Sequence, residues 1–347
     1  MKKTVALISG GEGYEREISE LSANNLFSLI DKDRYKILRI HINRKGEWYI
    51  RQGLCEKYND TGFEDTVPTF PVMLGGVSGF LVGGKVLAVD CAIPCLHGDF
   101  GEDGTVQGAL SVSHISYVGQ DVYASALTSD KAYTKLAAEH LNIPTARWIL
   151  SDDESWDTAR TRAEVNFGYP MFIKPARLGS SCGAHPVTEK EEFYEAFRDA
   201  KSYDKRIIIE EHISFEYELE CALFDDGTRA VFPGGRVLTG GAFYDFRSKY
   251  THKCSPPTET KTGQPSSIEK RISEYTEALA NLIGIRHLSR FDFFVTNDGR
   301  IYFNEINAFP GMTKTSLYPR LLNGCGRGGG DFINLLIEKV CSDDRRV

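Results

Sequence analysis

The chain has 347 residues, 41% of them hydrophobic, and a formal net charge of −7. This length allows two or three domains with a sizeable core, and an acidic chain without a basic stripe argues against a general nucleic-acid-binding protein. No apolar stretch reaches the length of about 20 residues that spans a bilayer, so we expect a soluble protein with no membrane partner.

The first third of the chain alternates strand and helix patterns. TVALIS (4–9) predicts a first strand rather than a secretory signal, because the apolar run ends at Gly10-Gly11 and acidic residues follow. A helical stretch from Ile18 to Ile30 and a strand in KILRIHI come next, and the apolar run from Val86 to Leu96 predicts a strand buried on both faces. This βαβ pattern predicts a doubly wound parallel sheet, in which ligands bind beyond the carboxyl ends of the strands.

Two glycine-rich segments follow predicted strands of this sheet. They are GGEGYERE (Gly10–Glu17) and HGDFGEDG (His97–Gly104). The first lacks the G-x-G-x-x-G spacing, so a dinucleotide-binding fold, and with it a dehydrogenase, has little support.

The cysteine pattern indicates a reducing compartment. Eight cysteines, at positions 55, 91, 95, 182, 221, 254, 325 and 341, include no C-x-x-C pair. Cys91 and Cys95 fall within one predicted apolar strand. We therefore expect reduced, mostly structural thiols in a cytoplasmic protein.

The middle of the chain carries residues that can bind phosphate. A helical stretch from Ser125 contains Asp130-Lys131, and a strand in YPMFIKPARLGSSCG delivers Lys174 to a loop from Gly179 to Gly183. Small residues let backbone N–H groups close around a phosphate, and a nearby lysine adds a positive charge. Taken alone, Lys174 is better explained as a surface lysine on a strand, and Lys131 alone does not indicate a function either.

A long irregular stretch separates two strands in RIIIEEHISFEYELECALF from the last long helix. Residues 234 to 267 are mostly turn formers, which is typical of a lid or a disordered linker. The aromatic and charged residues in FYDFRSKY favour a lid. A helix is predicted from about Ser267 to Ile283.

The segment SRFDFFVTNDGRIYFNEIN predicts a β-hairpin with Asp298-Gly299 as a two-residue loop. In that register Asp292 lies opposite Glu305 and Arg290 opposite Asn307, all on one face. Directly opposed carboxylates are unfavourable unless a cation lies between them, and two carboxylates with an amide oxygen suit Mg²⁺. The alternative is an ordinary hairpin with a solvated acidic face, because the pairing holds only in this register.

Seven motifs, taken in order and spacing, carry a family resemblance. They are GGEGYEREIS, HGDFGEDGTVQG, DKAYTK, FIKPARLGSSCG, FYDFRSKY, RFDFF and NEINAFPGMTKTSLYP. The chain resembles, over most of its length, the D-alanine:D-alanine ligase family of ATP-grasp carboxylate–amine ligases. The resemblance implies an α/β ATP-grasp fold with an N-terminal doubly wound parallel-sheet domain (1–125) and two α+β domains (126–213 and 214–347) enclosing the nucleotide. The lid would span about 236–266.

The resemblance also implies a reaction. ATP would phosphorylate one D-alanine, and the second would attack the acyl phosphate through a tetrahedral intermediate, giving D-alanyl-D-alanine for peptidoglycan synthesis with release of ADP and phosphate. It implies Mg²⁺ or Mn²⁺, two ions per site, and a homodimer.

The same resemblance implies roles for individual residues. The residues implied to bind the nucleotide are Lys131, Lys174, Gly179, Ser180, Ser181, Glu210, Glu211, Glu218, Lys249 and Asn304, and either Glu210 or Glu211 would contact the adenine. Metal binding falls on Asp292, Glu305 and Asn307, the set that the hairpin gathers. Catalysis falls on Glu15, Ser180, Tyr250, Arg290, Gly311 and Ser316. Substrate binding falls on Glu15, His97, Arg290, Gly311, Ser316 and Leu317.

Several alternatives stay open at this point. Glu15 alone could simply be a helix N-terminal acid favoured by the helix dipole. A D-alanine:D-serine ligase of the same family is the nearest alternative function, although Tyr250 and Leu317 are of the D-alanine type. A carboxylase would need a bicarbonate site. A non-catalytic nucleotide-binding module should have lost a metal ligand or a phosphate lysine, and neither is missing.

Overall fold

The structure is a computed structural model that describes residues 2–51, 66–237, 258–260, 266–324, 326–328 and 330–343. Its first sheet contains β1 (Lys3–Gly10), β2 (Tyr35–Ile42), β3 (Trp48–Arg51), β4 (Thr66–Pro68) and β8 (Cys91–Pro94) in the order β4-β3-β2-β1-β8. The central strand β1 pairs in parallel with β2 and β8, whereas β3 and β4 add antiparallel strands at one edge. Helix α1 (Arg16–Leu29) packs on one face and α2 (Thr105–Val112) on the other, which confirms the doubly wound arrangement.

The predicted single strand from Val86 to Leu96 is wrong. The run divides into β7 (Lys85–Ala88), which joins β5 (Pro71–Leu74) and β6 (Val77–Val82) in a small antiparallel sheet, and the separate strand β8. Asp90 marks the break: its carboxylate accepts a hydrogen bond of 2.7 Å from the Thr4 N–H, and its own N–H donates to the Thr4 carbonyl. Cys95 consequently lies beyond β8 and not in one strand with Cys91.

A four-stranded antiparallel sheet forms the central unit. Its strands are β9 (Trp148–Asp152), β10 (Met171–Pro175), β11 (His185–Val187) and β12 (Arg206–Glu211), in the order β11-β10-β12-β9. Helices α5 (Trp156–Asn166) and α6 (Phe193–Tyr203) cover the face that carries Ile173 and Ile209. Since side chains alternate along a strand, Lys174 and Glu210 point to the opposite, open face.

The third sheet contains β13 (Tyr217–Asp225), β14 (Arg229–Val237), β15 (Thr258–Thr260), β16 (Leu288–Val295) and β17 (Ile301–Asn307), in the order β15-β14-β13-β16-β17. Helix α7 (Ser267–Ile283) begins at a capping box made by Ser266 and Glu269, and ends at Gly284, whose φ is 83°.

Within the described residues, no helix has the length and apolarity needed to cross a membrane.

Four further helices pack against the first and third of the three larger sheets. Helices α3 (Val122–Ser129) and α4 (Lys131–His140) share a core with the third sheet, whereas α8 (Leu317–Gly324) and α9 (Asp331–Ser342) share one with the first sheet. The predicted boundary at 125/126 falls inside α3, and the three domain ranges stay predictions.

The hairpin of β16 and β17 aligns the acidic residues as predicted. Arg290 pairs with Asn307 and Asp292 pairs with Glu305. A β-bulge interrupts the ladder next to these pairs and leaves Asn304 as the extra residue of β17.

The turn of this hairpin differs from the prediction. Thr296 and not Asn297 faces Arg300, so the loop has one residue more than the predicted Asp298-Gly299 pair. The longer loop moves the register by one residue, and the bulge at Asn304 moves it back. The correct pairing at the strand ends therefore results from two deviations that cancel.

Candidate active site

One cleft between the three sheets collects every candidate residue that the structure describes. Its empty volume is about 1900 Å³, open solvent included. The candidates that line it are Glu15, His97, Lys131, Lys174, Gly179, Ser180, Ser181, Glu210, Glu211, Glu218, Arg290, Asp292, Asn304, Glu305, Asn307, Gly311, Ser316 and Leu317. The predicted lid residues Lys249 and Tyr250 lie outside the described residues.

Two lysines bring positive charge into the cleft from different elements. Lys131 begins α4, and its Nζ donates a 2.7 Å hydrogen bond to the Leu178 carbonyl and lies 3.4 Å from the Glu305 carboxylate. Lys174 projects from β10, with its Nζ 3.3 Å from the Asn304 Oδ1. Both are buried to more than nine-tenths. Such paired ammonium groups suit an anionic ligand such as a polyphosphate.

A buried carboxylate, Glu210, holds Lys174 in place together with a second lysine. Oxygens of Glu210 lie 2.8 Å from the Nζ of Lys174 and 2.8 Å from the Nζ of Lys135. Burial alone would raise the pKa of Glu210, but the charges of Lys135 and Lys174 outweigh it and lower the pKa to about 2. Lys135 was not predicted, although it follows Lys131 by one helical turn and so lies on the same face of α4.

The neighbouring Glu211 has a different environment. Its carboxylate accepts hydrogen bonds from the backbone N–H and the guanidinium of Arg147, at 2.8 and 2.7 Å. The two glutamates are therefore held by different cations, and the choice between them as the adenine contact stays a prediction.

The loop after β10 turns sharply toward the N-terminal unit. Ser180 and Ser181 have φ of 52° and 58°, a left-handed conformation that non-glycine residues rarely adopt. The Ser180 hydroxyl donates to the Glu15 carboxylate. A Cβ on Gly179 would lie 3.0 Å from the same carboxylate, so glycine permits the close approach of the loop.

Glu15 occupies the N-cap position of α1, as a helix N-terminal acid would. Its side chain makes no capping hydrogen bond with the helix and instead meets the loop at Ser180. The carboxylate is buried, with 8% of the residue exposed. A buried acid aimed into a cleft is better suited to a cationic ligand than to helix capping.

His97 lies behind this acid at the end of the N-terminal sheet. Its ring is 3.6 Å from the Glu102 carboxylate and 3.5 Å from the Ser22 hydroxyl. Burial alone would lower the pKa of His97, but the hydrogen bond and charge of Glu102, with the charge of Glu15, raise it above the ordinary value. The protonated form of His97, which would add positive charge beside Glu15, is therefore favoured more than in an unperturbed histidine.

The candidate metal ligands lie on the paired ends of β16 and β17. Arg290 donates to both oxygens of Asp292 at 2.7 Å, the amide of Asn307 lies 3.1 Å from Asp292, and Lys131 faces Glu305. No group of three or more His, Cys, Asp and Glu side chains in the described ranges is placed to hold a metal. The donor set here is two carboxylates and one amide, which fits a hard, oxygen-seeking cation.

Glu220 is a charged residue of the cleft that the sequence analysis missed. It pairs across the sheet with Asp292, and its carboxylate lies 3.2 Å from the Arg290 guanidinium. Burial alone would lower the pKa of Arg290, but the charges of Asp292 and Glu220 outweigh it and raise the pKa above its ordinary value. The alternation of Glu218 and Glu220 along β13 was the available signal, since both must face the same side.

The segment after β17 closes the far side of the cleft. The carbonyl and N–H of Met312 bond to Asn25 and Ser22 of α1, at 2.7 and 3.0 Å. The Ser316 hydroxyl accepts a 3.1 Å hydrogen bond from the Thr313 N–H. Gly311 passes close to Ser316, since a Cβ there would lie 3.1 Å from the hydroxyl.

Protein-family models and known relatives match this chain over nearly its whole length. Two family models, described as D-ala D-ala ligase N-terminus and C-terminus, match residues 4–120 and 137–338. The D-alanine–D-alanine ligase of Chlorobium luteolum is 36% identical over 96% of this chain and 96% of its own length.

Solved structures of two ligases are also similar to this chain over nearly its whole length. The D-alanine–D-alanine ligase from Coxiella burnetii superposes with a TM-score of 0.85 at 27% identity, covering 98% of this chain and 94% of that one. The VanG D-Ala:D-Ser ligase from Enterococcus faecalis has a TM-score of 0.84 at 33% identity and covers 98% of this chain and 100% of that one.

Proposed function

The chain belongs to the D-alanine–D-alanine ligase family, and from this premise we propose which of its residues carry each part of the reaction. The enzyme has the ATP-grasp fold and joins two D-alanine molecules in an ATP-dependent reaction of peptidoglycan synthesis. The observation that supports the residue assignments best is the convergence of paired lysines, paired carboxylates and a loop of small residues in one cleft.

The first step is transfer of a phosphoryl group. A carboxylate oxygen of the first D-alanine attacks the γ-phosphorus of ATP, the bond to the β-phosphate oxygen breaks, and ADP leaves. Lys131 and Lys174 neutralise the transferring group, and backbone N–H groups of the loop at Ser180 and Ser181 close around it. Glu218, which lines the cleft on β13, binds the ribose hydroxyls.

Glu15 and its neighbours position the first D-alanine. The Glu15 carboxylate binds the substrate ammonium, while His97 contributes positive charge near the substrate carboxylate. Ser180 donates to Glu15 in the structure. In the proposed scheme the same hydroxyl also binds substrate and so links the phosphate loop to the amino-acid pocket.

Asp292, Glu305 and Asn307 bind the divalent cation, and we propose Mg²⁺ or Mn²⁺ with two ions per site. When bound, the cation would neutralise negative charge on the nucleotide phosphates. Asn304, the bulge residue, holds the Lys174 ammonium beside this set.

The second step is attack by the amine of the second D-alanine. The deprotonated amine bonds to the carbonyl carbon of the acyl phosphate, the tetrahedral intermediate collapses, and phosphate leaves with the broken C–O bond. Arg290 and the Gly311 N–H stabilise the oxyanion of the tetrahedral intermediate. Arg290 suits this role because Glu220 and Asp292 already hold its guanidinium in a fixed position. Ser316 binds the carboxylate of the second D-alanine, and Leu317 lines its side-chain pocket.

Predictions that fall outside the described residues complete this scheme. Lys249 and Tyr250 would reach the γ-phosphate and the first substrate from a lid that excludes water from the acyl phosphate. A homodimeric assembly and a cytoplasmic location likewise remain predictions.

Phosphate release measured over pairs of acceptor substrates tests the proposed function. Purified enzyme with ATP and Mg²⁺ should release phosphate with D-alanine alone and form D-alanyl-D-alanine. Adding D-serine or D-lactate in competition should give little mixed product, because Leu317 and Tyr250 are of the D-alanine type. Preferred formation of D-alanyl-D-serine would instead assign the D-Ala:D-Ser ligase activity of the VanG protein.

A further inference from the structure

A second cavity opens at the carboxyl end of the N-terminal sheet, outside the active-site cleft. Its empty volume is about 560 Å³, open solvent included. Its walls include three aromatic residues and two acids, namely Trp48, Phe70, Phe100, Glu12 and Asp99. We call this cavity the aromatic pocket. Among the described residues only His97 lines both the aromatic pocket and the cleft, so the ligation chemistry does not account for it.

The position of the aromatic pocket in the sheet is one that favours ligand binding. Strand β1 lies between β2 and β8, and the segments that follow these three strands all contribute to the pocket. Helices α1 and α2, which follow β1 and β8, cover opposite faces of the sheet. In open α/β sheets, the crevice where the chain departs to opposite faces is the usual place for a ligand.

The aromatic rings are held where a ligand can reach them. Trp48 and Phe70 meet edge to face, with ring centroids 5.5 Å apart and planes at 66°. Phe70 and Phe100 are each 50% exposed, although both are large apolar residues. The π electrons make the face of each ring negative, so rings set at an angle around a cavity attract a cation.

Phe100 is held in this position by a strained backbone. Its φ is 62°, which is an outlier for a bulky side chain. The Phe100 N–H donates a 3.1 Å hydrogen bond to the Asp103 carboxylate, which fixes the loop in this conformation. Strain of this kind persists where the surrounding structure imposes it, and it is concentrated at functional sites.

The two acids make the aromatic pocket negative. Glu12 lies against the turn at Gly46, where a Cβ would come within 2.5 Å of the carboxylate, so glycine admits the acid at this place. Desolvation and the charges of neighbouring carboxylates raise the pKa of Asp99, against the opposing charge of Arg177. No lysine or arginine is among the described residues that line the pocket. A cation bound here would therefore be attracted by the acids as well as by the rings.

We propose that the aromatic pocket binds a small organic ammonium ion that carries no carboxylate. The alkylated nitrogen lies against the rings of Trp48, Phe70 and Phe100, and the two acids balance its charge. A zwitterionic amino acid fits less well, because its carboxylate would face Glu12 and Asp99. The ligand of this pocket is therefore chemically different from the amino acid bound in the cleft.

Titration with choline, followed through the tryptophan indole signals, tests the proposal. Full-length protein labelled with ¹⁵N-tryptophan gives one indole N–H signal for each of its three tryptophans. The variant Trp48→Phe identifies the Trp48 signal, and Trp148→Phe with Trp156→Phe identifies it by elimination. We expect choline to shift the Trp48 signal saturably and to leave the other two in place.

The uncharged isostere of choline, 3,3-dimethylbutan-1-ol, is the control for charge. At matched ionic strength it should bind at least about 10-fold more weakly than choline, because it is attracted neither by the ring faces nor by the acids. Equal affinities would show a merely apolar cavity and overturn the proposal. The absence of a saturable Trp48 shift with choline would overturn it as well.

Matched variants locate the binding site. Glu12→Gln and Asp99→Asn should each weaken choline binding about two- to fivefold. Glu17→Gln, at an exposed acid of α1 outside the pocket, should bind choline as the wild type does. Glu15→Gln should also bind it normally, since Glu15 lines the cleft and not the aromatic pocket. If Glu15→Gln alone loses the shift, the ammonium binds in the cleft and the proposed pocket is wrong. Neither ATP nor D-alanine is present in these titrations, so their outcome is independent of the proposed reaction.

Discussion

Lys135 and Glu210 form an ion pair beneath the nucleotide cleft, with 2.8 Å between Nζ and Oε1 and side chains only 1% and 5% exposed. The other oxygen of Glu210 contacts Lys174, also at 2.8 Å. Glu210 thus connects a lysine that cannot reach solvent to one that lines the cleft. Lys135 is a positioning residue in this arrangement, because it acts on bound nucleotide only through Glu210 and Lys174.

Replacing Lys135 by methionine should weaken both the fold and nucleotide binding. Glu210 would lose one of two compensating charges, and breaking such a pair typically costs 3–5 kcal/mol; we expect about 3 kcal/mol because Lys174 remains. The released Lys174 should raise KM for ATP more than it lowers kcat. Urea unfolding and steady-state kinetics measure the two effects.

A matched pair of variants controls this experiment. Lys190→Met, at an exposed position between β11 and α6, should change stability by less than about 0.5 kcal/mol. The double variant Lys135→Met with Glu210→Gln should be more stable than the sum of the single changes implies, since the Lys135–Glu210 interaction can be lost only once. Additive effects would show that the two residues do not act as a pair.

Glu305→Gln should remove turnover while leaving the fold intact. The change keeps the shape of the side chain but removes a charge that the divalent cation needs, so we expect phosphate release to fall at least about 100-fold. Stability should change little, because the Lys131 contact is long, at 3.4 Å, and the Glu305 side chain is partly exposed. The loss should appear also as weaker Mn²⁺ binding, measured by electron paramagnetic resonance.

Glu274→Gln, on the exposed face of α7, is the control for loss of a carboxylate. It should bind Mn²⁺ and release phosphate as the wild type does. Wild-type rates in Glu305→Gln itself would remove Glu305 from the metal site.

The metal hairpin shows what sequence could and could not predict. The pairing of Asp292 with Glu305 was predicted from a two-residue loop, but the structure reaches it with a longer turn and a bulge at Asn304. A side-chain period of two can place residues on one face, whereas a bulge leaves no reliable trace in one sequence. The predicted pairing of these two residues was therefore correct, although the predicted loop was not.

Contacts between distant segments account for the residues that were missed. Glu220 carries charge inside the cleft and Lys135 carries charge beneath it, yet each looks like an ordinary polar residue in its own strand or helix. The spacing of each residue from a predicted neighbour indicates its face, but its charged partner is known only when β12 meets α4 and β13 meets β16. The division of the run from Val86 to Leu96 had a local signal, Asp90, whose charge is unfavourable in a strand buried on both faces.

The charge state of His97 should make stability depend on pH. The pKa of His97 is raised in the fold above its unfolded value of 6.5, so its contribution is fully present below pH 6.5. That contribution is lost as the pH rises through the folded-state pKa. Urea unfolding at a series of pH values should show this decline in the wild type and a flatter profile in His97→Gln.

Glu102→Gln tests the cause of the raised pKa. Without the carboxylate that faces the ring, burial should dominate and lower the pKa of His97 below its unfolded value, so stability should rise and not decline with pH in this region. In the wild type, the KM for the first D-alanine should rise as His97 loses its proton, because protonated His97 lies near the substrate carboxylate. Identical pH profiles for the wild type and Glu102→Gln would show that Glu102 does not set the charge of His97.

Ser180→Ala should impair use of the first D-alanine without unfolding the protein. The hydroxyl donates to Glu15 across the junction between the phosphate loop and α1. Loss of one such hydrogen bond to a charged group typically costs 1.5–3 kcal/mol, so we expect kcat/KM for D-alanine to fall about 10- to 100-fold.

Because φ is 52° at this position, Ser180→Gly separates the effect of the hydroxyl from that of the backbone: it should lose the same activity while relieving strain. Ser202→Ala, at an exposed helix end, should match the wild type. Recovery of activity in Ser180→Gly alone would assign the defect to backbone strain and leave the hydroxyl without a role in binding.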